Sequence, residues 1–518
     1  MNKLKRKFKK LKAVFKVARK AHWSLKKANY ELNNAKELGI SNKKYMKIEG
    51  WKKSEAQLKQ LASKDSKEDK DTKSLAQELS ELSGMSLKDA KKELSRAKKY
   101  IIPKRLFVKF ALYELTDKEL KEYAKGLRKK AMIMARNNKF FIKEACRKSG
   151  LPKSKIIKDM AKMQKKGISM QKYVQKGVYG YTEAEAERLG KFFKRDKTRI
   201  NNNREYYVSE IMKATGWSKG RTELEVLKAK NNCECSYEDY LGFKMWELTP
   251  EEQKTYVTLP VFDRMRIKYN EFRPTRNNFD NKVQFNKVFK KYINRVWFSN
   301  DNLTFKEFEK NIKGLKKIIV KPLLATCGVG VEAFEVNKSQ KQNKEVYETI
   351  KKRGTSIIEE YIIQTKEMAE FCPTSVNTIR VYTIRVDGKV TPLASFIRMG
   401  NGGVVDNFHA NGCAAGINIE KGVVETNAVD VKRNVYVNAP ATGKKIKGFK
   451  IPRWKEILKI CEAAAQEVDG VNLIGWDLAI TTKGIVLIEG NPAGYYISQL
   501  INVEDRKGLM PVMVDPYL

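Results

Sequence analysis

Three adjoining stretches decide how this chain reads: Gly475-Trp476-Asp477-Leu478-Ala479-Ile480, a break at Thr482-Lys483-Gly484, and Val486-Leu487-Ile488-Glu489-Gly490-Asn491-Pro492. Two runs rich in Ile, Leu and Val around a Lys-Gly turn predict a β-hairpin from a buried sheet. Side chains alternate along a strand, so Glu489 and Asn491 share a face, and the hairpin brings Asp477 alongside. Two carboxylates and an amide carbonyl on one face suit Mg²⁺, a hard cation that takes oxygen ligands and shares them with phosphates. Taken alone, the same residues would serve equally well as ordinary polar positions of a strand.

Upstream, Lys321-Pro322 ends the apolar run Ile318-Ile319-Val320, and Ala325-Thr326-Cys327-Gly328-Val329-Gly330-Val331 follows. Gly328 and Gly330 would let backbone amides approach a phosphate closely, and a lysine at a strand end adds a point charge; a plain hairpin turn uses the same glycines. Ser356-Ile357-Ile358-Glu359-Glu360-Tyr361-Ile362 predicts a strand ending in acids. In Val376-Asn377-Thr378-Ile379-Arg380-Val381-Tyr382, the arginine stands in so apolar a strand that it must be paired or serve an anion.

In this order the pieces resemble the ATP-grasp superfamily. Ser375-Val376-Asn377-Thr378-Ile379-Arg380-Val381, Asp406-Asn407 and Glu489-Gly490-Asn491 resemble its sugar-transfer-associated branch, and the likeness runs from about Asp280 to the end. The resemblance implies an α/β (α+β) ATP-grasp catalytic domain. It puts Lys282, Lys321, Gly328 and Gly330 on the triphosphate. Glu359, Glu360, Tyr361 and Ile362 would form the hinge beside the adenine, with Glu367 near the ribose. Arg380 and Arg398 would face the γ-phosphate and the attacking carboxylate, under a loop carrying Asn407. Asp477, Glu489 and Asn491 would hold Mg²⁺, with Mn²⁺ as the alternative ion. Two departures stand out: the loop Asp406–Gly412 lacks the double glycine of the pattern, and Gly494 comes one residue late.

The chemistry implied is an ADP-producing ligation. Phosphorylating a carboxylate gives an acyl phosphate that an amine can attack, and the protein supplies alignment and positive charge without a covalent nucleophile. Nothing in the chain resembles a serine triad. Cys327, Cys372 and Cys413 read as small packing residues.

At 518 residues the chain exceeds one core. Seven scattered cysteines fit free thiols in a reducing cytosol. A highly charged N-terminus and the lack of a long apolar stretch lead to the expectation of a soluble, cytoplasmic protein. Charge is uneven. Residues 301–518 carry 30 basic and 25 acidic residues, and residues 1–300 carry 75 and 35 of a chain whose net charge is +45.

That basic half repeats. Tyr45, Phe107, Tyr173 and Tyr240 each stand nine residues before a Ser/Thr-x-x-Glu/Gln capping box, at Ser54–Gln57, Thr116–Glu119, Thr182–Glu185 and Thr249–Glu252. Gly84, Gly150 and Gly216 are 66 apart. A period of this length predicts stacked helical units. The expected organisation is therefore 1–64, basic helices with a degenerate first repeat; 65–73, a polar linker; 74–265, three helical repeats; and 266–518, the ATP-grasp domain. Leu4, Phe8, Leu11, Phe15 and Ala18 make an apolar helical face ringed by lysines. It is expected to pack on the next repeat, with peripheral membrane contact as the other reading.

The expectation for function is an ATP- and Mg²⁺-dependent carboxylate–amine ligase. Its repeats would recruit an anionic acceptor: a glycan or polysaccharide precursor, a lipid-linked precursor, or a peptide. Two alternatives are a polyanion-binding scaffold with a nucleotide-binding ATP-grasp half, and a peptide or protein amino-acid ligase. Nucleic acid is the second-choice polyanion, because no recognised nucleic-acid motif accompanies the charge.

Overall fold

A computed structural model describes residues 74–323, 330–403, 406, 408, 411–492 and 494–518, with scattered positions from 17 to 57; in 194–202 it describes backbone alone. The apolar face over residues 1–18, the linker at 65–73, Gly328 and Asn407 lie outside the described residues.

Helical elements recur at the spacing of the sequence. Helices Leu87–Lys99, Lys153–Lys166 and Lys219–Cys233 are followed by short helices Lys104–Lys109, Met170–Gln175 and Tyr237–Gly242. Single 3₁₀ turns and capping boxes come next. Thr182 and Thr249 each cap the third helical amide while Glu185 and Glu252 reach back, satisfying donors that a helix start leaves unpaired. Thr116 and Glu119 make the same reciprocal pair, at 2.9 and 3.3 Å. Phe107, Tyr173 and Tyr240 are all buried. Ala111, Gly177 and Lys244 adopt left-handed backbone at the equivalent turn.

The chain divides into two compact units: Met1–Ala124 with Lys219–Arg221, and Lys125–Ser218 with Thr222–Leu518. In the first, Arg96 ties successive helices together by bonding Glu93 at 2.6 Å, Asp117 at 3.0 Å and the Leu115 carbonyl at 2.8 Å.

The second unit holds two antiparallel sheets. One has the order β1-β4-β2-β3, with β1 Trp297–Ser299, β2 Lys317–Pro322, β3 Glu332–Glu335 and β4 Ser356–Glu360. The other has the order β11-β10-β5-β6-β7-β8-β9: β5 Thr378–Val386, β6 Lys389–Met399, β7 Cys413–Ile417, β8 Ala428–Asp430, β9 Val435–Tyr436, β10 Leu473–Thr481 and β11 Gly484–Asn491. β10 is buried at every residue, as its apolar sequence requires. Phe289 meets Trp476 edge-on at 5.3 Å, in a core shared with Phe279 and Phe285. Each such side chain contributes about 1.5–3 kcal/mol through burial.

A second core runs across residue 265. Ile211, Val226, Tyr240, Phe262 and Met265 pack with Tyr382 and Phe396 of the large sheet and with Leu500 and Met513. Buried Asp239 accepts from the amides of Ser236 at 2.7 Å and Leu259 at 3.1 Å, and also from the Tyr495 hydroxyl. Phe243 stacks on Tyr496 at 5.3 Å. Lys244–Glu504 and Arg506–Glu252 add ion pairs at 3.0 and 2.7 Å. The helices Lys219–Cys233 and Tyr237–Gly242 and the large sheet thus share one core. No described helix is long and apolar enough to cross a membrane.

Candidate active site

The register of the large sheet assembles the site. Asp477 on β10 pairs with Glu489 on β11 and with Arg380 on β5; Gly475 pairs with Asn491, and Thr378 with Arg398. Gly475 is required here, because a Cβ would come within 2.7 Å of the Tyr382 ring and 3.0 Å of Arg380 Cδ.

Asp477 is completely buried. It accepts from Arg380 Nε, from Arg380 Nη2 at 2.7 Å and from Arg398 Nη2 at 2.9 Å. Burial pushes its carboxyl up, but Arg380 and Arg398 outweigh this and hold it at about 2. Burial raises Glu489 as well, and facing Asp477 raises it further. Asn491 donates to Glu489 Oε1 at 2.8 Å. Arg398 Nε bonds Thr378 Oγ1 at 3.0 Å and lies 3.5 Å from Asp406, whose carboxylate also caps the Thr378 amide at 3.1 Å.

A second group of charges lies on the small sheet. Lys321, at the end of β2, pairs with Glu359 of β4 at 2.6 Å. Glu359 also accepts from Arg295 at 2.6 Å and Asn286 at 2.9 Å. Burial alone would raise its carboxyl, yet Arg295 and Lys321 hold it well below the carboxylate range. Lys282 opens the helix Lys282–Val288, capped by Asn281, and its ammonium donates to the Leu323 carbonyl at 3.3 Å. Its pKa is lowered by burial, with Glu489 and Glu359 opposing and Lys321 adding to the effect. Lys282 therefore lies in the fields of both charge groups.

Among the residues expected at the adenine and ribose, Glu360 bonds Lys483 and takes the Val296 amide at 3.2 Å. The Lys317 ammonium lies 4.3 Å from the centre of the Tyr361 ring. Glu360, Tyr361 and Ile362 line a recess with Thr482, Lys483 and Val486. Glu367 stands exposed on the first turn of the short helix Lys366–Ala369. Gly330 adopts φ +73° beside Pro322.

The sequence reading did not single out four participants. Tyr382 lies 3.3 Å from Arg380 Nη1, Arg295 and Asn286 hold Glu359, and Thr378 bridges Asp406 and Arg398. The readable signal was a charged Arg295 just before the strand β1.

Glu489 and Asn491 supply adjoining oxygen donors, and Asp477 and Glu489 are carboxylates that oppose each other's ionisation; this donor chemistry fits a hard divalent cation. Among the described residues, no cluster of three or more His, Cys, Asp or Glu is arranged for a metal.

Residues 264–513 match the family model described as sugar-transfer associated ATP-grasp. The second half of this chain is an ATP-grasp domain of that branch. No curated protein matches the sequence. Three of the solved structures similar to the chain are crystal structures. One is an N5-carboxyaminoimidazole synthetase from Staphylococcus aureus complexed with ADP: 11% identity, 47% of this chain, 54% of that one, TM-score 0.29. Another is D-alanyl-alanine synthetase A from Vibrio cholerae: 14% identity, 46% and 63% covered, TM-score 0.30. The third is an L-amino acid ligase from Bacillus licheniformis: 14% identity, 52% and 55% covered, TM-score 0.27. The chain spans less than two thirds of the length of each.

Proposed function

We propose that this protein is an ATP- and Mg²⁺-dependent carboxylate–amine ligase working through an acyl phosphate. Its acceptor would be anionic: a glycan, a cell-surface polymer precursor or a related small molecule. The observation that carries the reading is the placing of buried Arg380 and partly buried Arg398, both bonded to Asp477, beside the oxygen donors Glu489 and Asn491. Two guanidiniums, fixed in place before substrate arrives, would stabilise the charge that develops as the γ-phosphoryl group moves to a carboxylate.

In this reading Lys282 and Lys321 hold the triphosphate, and Glu359 keeps the Lys321 ammonium in position by pairing with it at 2.6 Å. Glu489 and Asn491, backed by Asp477, would hold Mg²⁺, with Mn²⁺ able to substitute; the ion would neutralise phosphate oxygens. The carboxylate oxygen attacks phosphorus as the bond to ADP breaks. The amine then attacks the acyl carbon, releasing phosphate and a proton. Positive charge concentrated in residues 1–300 would raise the local concentration of an anionic acceptor.

The test is product analysis of the purified chain with Mg-ATP and pooled acids and amines, with and without hydroxylamine. ADP, phosphate and a trapped hydroxamate, all lost in Glu489→Gln, are the expected result. AMP and pyrophosphate would overturn the mechanism.

A further inference from the structure

The loop that follows the candidate metal donors is held from the helical side of its own compact unit. Helix Leu259–Tyr269 buries Val261, Phe262, Met265 and Ile267, while Asp263 and Arg266 stand one turn apart on it. Arg266 Nε donates to the Pro492 carbonyl at 2.9 Å, directly after Asn491. Two residues on, Gly494 has φ +98°, and a Cβ there would come within 3.0 Å of the Tyr382 hydroxyl and 3.8 Å of Arg380 Nη1. The next residue, Tyr495, is tied to buried Asp239. Pro492 is therefore held by Arg266 and Tyr495 by Asp239, and Gly494 stands close against Tyr382 and Arg380.

Arg266 is unusually well mounted. Asp263 is 6% exposed, and such a carboxylate needs several donors to offset its lost hydration. It has three, from two helices: Arg266 Nη1 at 2.9 Å, Gln171 Nε2 at 2.7 Å and Gln175 Nε2 at 3.3 Å. A surface ion pair needs no such support. Among the described residues, Arg266 Nη2 has no hydrogen-bond partner, and its side chain is 26% exposed. The local field is positive: Lys176, Arg276 and Arg266 all pull the Asp280 carboxyl down, against a desolvation that raises it. A planar guanidinium with one nitrogen left over suits a carboxylate or phosphate oxygen.

We propose that Arg266 binds an anionic group, carboxylate or phosphate, on the acceptor side of the site, and that Asp263, held by Gln171 and Gln175, is its positioning residue. The identity of the ligand as acceptor rests on the ligase reading above; the anion site itself does not. On this view the helix Leu259–Tyr269, backed by the helix Met170–Gln175, builds one wall of the site.

The test uses the full-length chain and phenylglyoxal, an arginine-selective reagent, with modified peptides mapped by mass spectrometry. The probes are inorganic phosphate and succinate, each with and without Mg-ADP, and Mg-ADP affinity is measured on the same samples. Either probe at millimolar concentration should slow Arg266 modification at least roughly threefold, by mass action at an occupied site. The more effective probe distinguishes a phosphoryl from a carboxylate ligand. Asp263→Asn should lose the protection and keep its Mg-ADP affinity. If that variant fails to fold, Gln171→Leu with Gln175→Leu carries the same expectation. Equal Arg266 labelling with and without both probes would overturn the anion site, and full protection in a folded Asp263 or glutamine variant would overturn the positioning role. Protection of Arg266 in a chain that does not bind Mg-ADP would leave this inference standing and remove the ligase reading.

Discussion

Asp477 and Glu489 face each other across neighbouring strands and titrate in opposite directions: the first is held at about 2, and the second is raised above its ordinary value. Burial disfavours charge on both, and two arginines resolve the contest in favour of Asp477. Glu489 is therefore the carboxylate whose charge a bound cation would most relieve. Glu489→Gln is expected to abolish Mg²⁺-dependent nucleotide turnover, by roughly a thousandfold or more if the ion is essential. The metal-free protein should melt no lower than wild type, because the substitution removes a disfavoured charge. Melting curves with and without Mg-ATP check this, and the variant should lose the Mg²⁺-dependent part of the shift.

Glu359 predicts the opposite. It is a buried anion between two cations, Arg295 and Lys321, each at 2.6 Å. Glu359→Gln leaves both cations uncompensated and should cost about 3–5 kcal/mol, read from chemical denaturation. The pH sign follows from its depressed pKa. The stabilisation is fully present above the ordinary glutamate value of 4.5 and is lost as pH falls through the folded-state value. The variant should therefore lose part of the acid limb of the stability curve, together with affinity for ATP through a displaced Lys321.

How much of this was legible in the sequence depended on distance along the chain. The hairpin carrying Asp477, Glu489 and Asn491 was readable because its strands, turn and alternation lie within about twenty residues. The demand that Arg380 be paired was readable too, but its partner, 97 residues away, required the strand register. Glu359 read as a hinge acid. Its role in holding Lys321 depends on Asn286 and Arg295, which lie 73 and 64 residues upstream, with no motif to mark them. The capping boxes were visible because each is local. The bond from Tyr495 to Asp239 spans 256 residues, so no local pattern could have foretold the core that helix Tyr237–Gly242 shares with the sheet.

Ile101 gives a prediction outside the site. It follows helix Leu87–Lys99 in left-handed backbone, φ +62°, with its side chain 81% exposed. The residue 66 positions later, at the equivalent place after helix Lys153–Lys166, is Gly167, at φ +96°. A β-branched residue in this conformation costs roughly 1–2 kcal/mol and here recovers little through burial, while glycine adds some chain entropy to the unfolded state. Ile101→Gly should therefore stabilise the first compact unit by up to about 1 kcal/mol, measured by urea denaturation. A destabilised variant would mean that something covers the isoleucine.

Lys148 carries the last prediction. It lies in the final turn of helix Asp117–Ser149, and its ammonium donates to the Asn270 carbonyl at 2.5 Å. Asn270 in turn accepts the amides of Asn472 and Leu473 at 2.9 and 2.8 Å, so this lysine supports the start of β10, the strand bearing Asp477. Burial, with a smaller push from Arg147, lowers its pKa from 10.5 to about 8. Between those two values the unfolded chain holds the proton more tightly than the folded one, so stability should rise with pH across that window. Below pH 8 the cost of the buried charge is fully present. Lys148→Met removes both the charge and its bond, and should flatten the rise while leaving stability at pH 7 little changed. Lys230, also lowered to about 8 by burial, would keep a similar rise of its own. The quantity to compare is therefore the difference between variant and wild type across the window. If that difference is constant with pH, Lys148 is not the group that titrates, and its bond to Asn270 is the whole of its contribution.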